Sequence, residues 1–379
     1  MTWPNVPLTD VVKDVTSGNA KIMQKEYLQE GALPVIDQGK EFIGGYVDDV
    51  SLQCKEELPV VIFGDHTREV KFVDQPFALG ADGVKVLKPI AGVLDEKYLY
   101  YVLKQAKLPE DAGYSRHFKF VKRLQIPLPP LEEQKRIAAI LDKADTIRRK
   151  RQQAIDLTDQ LLRSVFWDMF GDPVTNPKKY KMGKIGDLLD SVNYGTSAKA
   201  GVEGKYPILR MNNITYEGGW KLNDLKYIDM DEKDLKKYTA EPGDILFNRT
   251  NSKELVGKTA VFREESSYVF AGYLIRSKVN SLAKPEYISG FLNSFYGKKL
   301  LRNMCKNIVG MANINAKEYQ AINILIPPIE EQKKYASLVE RCRNKIAFYR
   351  NVQKKTDELS NALTQQAFRG ELTKPINSI

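Results

Sequence analysis

The sequence predicts a mixed α/β protein built twice over: a divergent α/β domain and a long helix, then a second such domain and a second long helix. Three observations predict it. Residues 126–170 and 324–368 align without an insertion or deletion, with Pro129 to Pro327 and Phe170 to Phe368 both 198 apart. Each copy opens with a proline pair and then lacks Pro and Gly until Gly171 or Gly370. Short β-rich runs bounded by Gly, Pro, Asn and Asp fill the segments in front. A period this long is the duplication of half a protein, not a solenoid unit.

The first divergent segment spans residues 1–125 and the second 173–322, joined through a Pro- and Asn-containing link at 171–179. Landmarks correspond loosely between them. Leu8-Thr9-Asp10-Val11-Val12 resembles Ile185-Gly186-Asp187-Leu188-Leu189. Leu33-Pro34-Val35-Ile36 resembles Tyr206-Pro207-Ile208-Leu209, and Tyr98 to Leu103 resembles Tyr287 to Leu292. Strands are expected at Pro59 to Phe63, Asp244 to Phe247 and Lys258 to Phe262. One helix is expected near the end of each domain, Glu96–Gln105 and residues 286–304.

The repeats themselves, 126–172 and 323–379, read as helices. Pro129-Pro130 and Pro327-Pro328 end a preceding strand, and Glu-Glu-Gln follows where acidic residues suit the positive end of a helix dipole. About 40 residues at ~1.5 Å each give a helix of roughly 60 Å. Apolar positions step by three and four through Ile137, Ile140, Ala144, Ile147, Ala154, Leu161 and Val165, with Tyr335, Leu338, Cys342, Tyr349, Val352, Leu359 and Leu363 in the second copy. Such a heptad seam makes each helix the natural partner of the other. Arg151, Thr158, Lys345 and Thr356 interrupt it. A second stripe, Leu141, Leu162, Phe166, Val339 and Ile346, widens the apolar face. Either the chain's own domains or another subunit covers that stripe, and its five residues are the candidate partner contacts.

Composition narrows the class. The 379 residues are 42% hydrophobic and 28% charged, as in a globular protein with an ample core. No apolar run approaches a membrane span, and the start lacks the pattern of a signal peptide, so a cytoplasmic, prokaryotic setting is expected. Cys54, Cys305 and Cys342 are too few and too scattered for a disulfide framework or a zinc site. The net charge of +10 suits an anionic partner such as nucleic acid.

Catalytic motifs are missing. There is no phosphate loop, no G-x-G-x-x-G after a strand, no G-x-S-x-G and no zinc-ligand cluster. His66 and His117 are the only histidines; in a strand His66 and its neighbour Asp65 point to opposite faces, so no acid–base pair is expected. Catalytic and metal residues are therefore expected to be none.

What the domains do carry is polar loops directly after apolar strands. The strongest is Arg249-Thr250-Asn251-Ser252-Lys253; its counterpart is His66-Thr67-Arg68. Arg210 with Asn212 and Asn213, Gln38 with Lys40, and Arg116-His117 with Lys119 are similar. Arg bonds guanine O6 and N7 together and Asn bonds adenine N6 and N7, so these residues are candidates for reading base edges. Polar residues after a strand are usually just a turn, so it is the set of loops rather than any single one that points to DNA.

This layout resembles the specificity (S) subunit of a type I restriction–modification enzyme over the whole chain. The resemblance rests on Pro129 to Ala138, Pro327 to Ala336, Gly243-Asp244-Ile245-Leu246 and the terminal Phe368-Arg369-Gly370-Glu371-Leu372. The first domain lacks a Gly-Asp-Ile-Leu and has Val61 to His66 there instead. The resemblance implies two target-recognition domains on two conserved helices packed as an antiparallel coiled coil, with pseudo-twofold symmetry. It implies a chain without catalytic activity of its own that binds double-stranded DNA, docks two methyltransferase (M) subunits and, in the nuclease, joins two restriction (R) subunits. S-adenosylmethionine, ATP and Mg would then sit on the partner subunits and no cofactor on this chain. The other reading the residues leave open is an S-like DNA-binding or scaffold adaptor of another multisubunit complex.

Overall fold

The computed structural model describes residues 3–109, 116–308 and 311–369. The chain forms two compact units, one of residues up to 150 together with those from 352 onward, the other of residues 151–351. The division falls inside both long helices, Leu131–Phe170 and Ile329–Arg369. Each unit therefore owns one α/β domain, the start of one long helix and the end of the other.

In the first unit, Val60–Gly64 lies inside an antiparallel sheet between Val70–Val73 and Val84–Pro89, with Val12–Asp14 at the far edge. All five residues of Val60–Gly64 are buried, which is why the run reads as continuously apolar rather than alternating. A second sheet places Ala78–Gly80 parallel to both Lys21–Ile22 and Leu33–Ile36, with Gly45–Val47 beyond. Helix Glu96–Gln105, capped by the Asp95 carboxylate on Tyr98 N–H (2.9 Å), packs Tyr98, Leu99 and Val102 against Val61, Phe63 and Leu87. The start of the first long helix joins the same core through Ile137 and Leu141.

The second unit repeats this plan. Ile245–Asn248 lies between Thr259–Val261 and Leu274–Val279, with Leu189–Tyr194 at the edge, all antiparallel. Tyr206–Leu209 runs parallel to Tyr268–Phe270 and antiparallel to Lys226–Ile228. The fourth strand differs: Thr239–Ala240 pairs antiparallel with Tyr268–Phe270, whereas the parallel edge of the first unit shrinks here to one bridge, Thr196 to Ala271. A small sheet of Thr250–Asn251, Met311–Asn313 and Lys306–Ile308 is added.

Two expectations change. The helix expected over 286–304 is two helices, Pro285–Asn293 and Phe295–Met304. Ser294 breaks it: its backbone is extended, its hydroxyl donates to Phe291 O (2.6 Å), and it accepts from Gly297 N–H (3.0 Å) as a cap. The heptad seam is kept only in part: Ile137 and Tyr335 are buried in the two cores. Ile147, Leu161 and Leu359, all expected in it, are 44%, 54% and 59% exposed, while Leu141, Phe166, Val339 and Ile346 of the neighbouring stripe are buried. The helix ends serve globular cores, and the stripe that faces a domain differs from a two-helix seam. The polar breaks are satisfied locally, Thr158 and Thr356 each donating to the carbonyl four residues back (2.6 and 2.8 Å).

Within each unit the helices run antiparallel. In the second, Phe166 and Phe170 near the end of one helix meet Tyr335 near the start of the other at 5.3 and 5.5 Å. In the first, Leu141 and Asp145 share a cleft with Thr356 and Asp357.

Candidate nucleic-acid interface

In the first unit the loop after Val60–Gly64 gathers five of the predicted residues. Gln38 accepts His66 N–H through Oε1 (3.1 Å) and takes the Thr67 hydroxyl on its own carbonyl. Arg68 adopts φ 63°, in the left-handed region, and its Nε donates to His117 Nε2 (3.4 Å). The buried Asp65 anchors the group: its carbonyl accepts His117 N–H (2.8 Å) and its Oδ1 accepts Phe118 N–H (2.7 Å). A Cβ at Gly64 would sit 2.3 Å from Thr67 Oγ1, so a larger residue would push the Thr67 hydroxyl off the Gln38 carbonyl. Lys40, Arg116 and Lys119 are exposed around the cluster.

Sequence reasoning missed Lys71. It is 5% exposed and donates to Asp37 O (2.7 Å) and Glu41 O, beside the Asp37 carboxylate at 3.6 Å, so it fixes the loop that presents Gln38 and Lys40. Burial pushes its ammonium below the ordinary lysine range, opposed by Asp37. Burial, with the Arg68 guanidinium beside it, likewise pushes the His117 imidazole down despite Asp65.

In the second unit Arg249 is half-buried at the end of the central strand. Its guanidinium lies over the Tyr194 ring (4.8 Å) and Nη2 donates to Asn313 Oδ1 (3.3 Å). Asn313 Nδ2 donates to Thr250 Oγ1 (2.8 Å), and Tyr194 accepts Ala316 N–H on its hydroxyl (2.9 Å). Asn251 accepts Ser252 N–H, and Lys253 is exposed. Tyr273, whose carbonyl accepts Arg249 N–H, is 50% exposed. Tyr194, Tyr273 and Asn313 were missed; Asn313, the last residue of strand Met311–Asn313, reaches the loop only by pairing with Thr250.

The Arg210 group is different. Asn213 is 1% exposed, accepts Arg210 N–H and donates to the carbonyls of Lys221 and Asp224 (2.9 and 3.0 Å). This corrects its assignment as a base reader, because its carboxamide is buried and spent on its own loop. Arg210 is tied to Asp224, while Asn212 is exposed. Lys258, 6% exposed, crosses to Met211 O (2.7 Å) and tethers this loop to the Arg249 loop. In the Gly-Asp-Ile-Leu motif, Gly243 takes φ +95° and Asp244 accepts Glu241 N–H (2.8 Å) beside Arg276, so the motif closes a turn.

The candidate partner contacts are also corrected. Leu141 belongs to the core of the first unit; Phe166, Val339 and Ile346 are buried and Leu162 is half-buried within the second. Among the described residues, the large apolar side chains the helices expose are Ile147, Leu157, Leu161, Trp167, Phe348 and Leu359. Among the described residues there is no cluster fit to hold a metal, and no helix is long and apolar enough to cross a membrane.

The family model for the type I restriction modification DNA specificity domain matches residues 1–157 and again 177–357. The chain belongs to that family. It is 27% identical over 273 residues to the EcoKI specificity subunit of Escherichia coli K12, covering 66% of this chain and 58% of that protein. Against the EcoR124I/EcoR124II specificity subunit of Escherichia coli it is 22% identical over 398 residues, 95% of this chain and 88% of that protein. The matched part thus spans under two thirds of the EcoKI subunit. The crystal structure of the S subunit from M. genitalium shares the fold, with a TM-score of 0.62 at 15% identity over 97% of this chain and 96% of that one. Each of the two matches covers one α/β domain and much of the long helix that follows it.

Proposed function

We propose that this chain is the non-catalytic, sequence-reading subunit of a type I restriction–modification complex. Each domain reads one half of a bipartite site on double-stranded DNA. The arginine loops supply the base-edge contacts, and Gln38, Lys40, Thr67, Arg116, Lys119, Asn251 and Lys253 surround them as base or phosphate ligands. Because Arg68 stands beside a histidine and Arg249 beside an asparagine, the half-sites differ and the site is not a palindrome. The long helices set the spacer and dock two methyltransferase subunits, to which restriction subunits add. The exposed Leu161 and Leu359, equivalent positions of the repeat, offer two copies of one partner a similar foothold.

The observation that carries this reading is a duplicated frame ending in two unlike arginine loops. Mapping methylated adenines in a genome expressing this chain with its methyltransferase partner tests it. The expected result is one asymmetric two-part motif with a fixed gap. Methylation without a two-part motif, or none that depends on this chain, refutes the reading.

A further inference from the structure

Two arginines, one in each unit, are held alike by unlike acceptors. Arg68 Nε donates to His117 Nε2 at 3.4 Å, and Arg249 Nη2 donates to Asn313 Oδ1 at 3.3 Å. Each arginine lies in the loop directly after the central strand, Val60–Gly64 or Ile245–Asn248. Each acceptor lies in the segment entering the last short helix of its domain, Phe118–Val121 or Ala316–Gln320.

We propose that His117 and Asn313 are matched positioning residues, each fixing the plane of its arginine so that the guanidinium meets a base edge in one orientation and sets which base that half-site demands. This rests on the DNA-reading function above. A free arginine side chain samples many rotamers, and two parallel bonds to guanine O6 and N7 need one plane. An acceptor already bonded to the guanidinium removes that search before DNA arrives.

Both acceptors are themselves locked. Asn313 gives its amide N–H to Thr250 Oγ1, which turns its oxygen toward Arg249, and the Tyr194 ring supports the guanidinium face. His117 is 2% exposed, and its backbone hangs on Asp65. Its Nε2 accepts only while the imidazole is neutral. The groups facing it are Arg68, Asp65, His66 and Lys119, so burial and neighbouring positive charge outweigh one carboxylate and favour that form at neutral pH. Acid places a proton on Nε2, removes the acceptor and sets one cation against another. Asn313 does not titrate, so acid acts on one half-site only.

The test uses the full chain assembled with its methyltransferase partner and a pool of duplexes randomised in sequence, with bound duplexes read out at neutral and mildly acidic pH. Asn313→Leu is expected to cut base preference about tenfold in one half-site and spare the other. Asn313→Asp, which keeps an acceptor, restores it. His117→Phe relaxes the other half-site, whereas His117→Gln keeps its preference and abolishes the loss in acid seen with the wild type. Should Asn313→Leu unfold, Asn313→Ala takes its place. Folded variants that return the wild-type motif, or lose affinity equally for all duplexes, overturn the inference while leaving the proposed function standing. A wild-type complex that enriches no motif overturns both.

Discussion

In the first unit Gln134, wholly buried, accepts Asp95 N–H (2.8 Å) and donates to the carbonyls of Val93 (2.9 Å) and Pro129 (2.8 Å). In the second, Gln332 accepts Lys284 N–H (2.9 Å) and donates to Leu282 (3.1 Å) and Pro327 (2.9 Å). Tyr98 and Tyr287 match too, each giving its hydroxyl to a carbonyl of the closing strand, Pro127 or Leu325. Away from this frame the units diverge. Asp145 pairs with Arg148 (2.8 Å), whereas its counterpart Arg343 donates to Gly218 O (2.9 Å), with burial pushing its guanidinium down to about 10. A buried group with three bonds leaves no room for variation, since each orphaned partner costs about 1–3 kcal/mol. Loop side chains at the surface carry no such constraint, so the exposed loops have diverged where the frame has not.

The largest expected effect separates buried from exposed faces of one helix. Phe166 lies among Phe170, Tyr287 and Tyr335 with ring centroids 4.9, 5.8 and 5.3 Å away. Phe166→Asp removes that packing and buries a charge, for a loss of about 4 kcal/mol or more in the second unit. Leu161→Asp, on the exposed face, is expected to shift stability by no more than about 0.5 kcal/mol and to weaken assembly with the methyltransferase subunit. Chemical denaturation and co-purification measure the two. A Leu161→Asp chain that assembles normally removes that face from the docking surface.

Next come the glutamines. Gln134→Leu and Gln332→Leu should each destabilise by about 3 kcal/mol, because each leaves one N–H and two carbonyls buried without partners. Peptide-resolved hydrogen exchange is expected to place each loss in its own unit. Markedly unequal losses would show that the duplicated frame is not energetically duplicated.

Much of this frame was legible in the sequence because its signals are local. Proline pairs, a helical period without glycine and a constant offset need no tertiary information. The dipole reading of Glu-Glu-Gln caught the helix start but not the role of its third residue, since two of Gln134's three partners, Asp95 and Val93, lie far back in the sequence. The seam holds only in part for a related reason: periodicity identifies an apolar face, and only the domains decide which stripe they cover. Arg249 and Arg68 stood out as polar residues after buried strands. Asn313 did not, because it meets Arg249 only through the pairing of Thr250–Asn251 with Met311–Asn313.

Recognition should show a smaller effect than the frame. Arg249→Ala is expected to weaken specific binding by roughly 1–3 kcal/mol and relax one half-site, as loss of a bidentate contact would. Arg68→Ala should do the same to the other half. Equal loss on specific and random duplexes would make either arginine a phosphate contact instead.

The smallest effect concerns acid, and the units differ in sign. Asp14 is drawn upward by burial, but the Thr16 hydroxyl and N–H and Lys85 outweigh this and hold its carboxyl below the ordinary range. Its contribution is therefore full above the unfolded value of 3.8 and is lost as pH falls through the lower folded value. Asp244 is pushed above the ordinary range by burial, against the Glu241 N–H and Arg276. Its ionised form is penalised in the fold, so its contribution grows as pH falls through that raised value and levels off below 3.8. Asp14→Asn should thus flatten the acid loss of the first unit by less than about 1 kcal/mol, the scale of a partly exposed pair. Asp244→Asn should remove a gain from the second. Hydrogen exchange followed from neutral pH downward separates the two, and the same sign of change in both units would contradict the assignment.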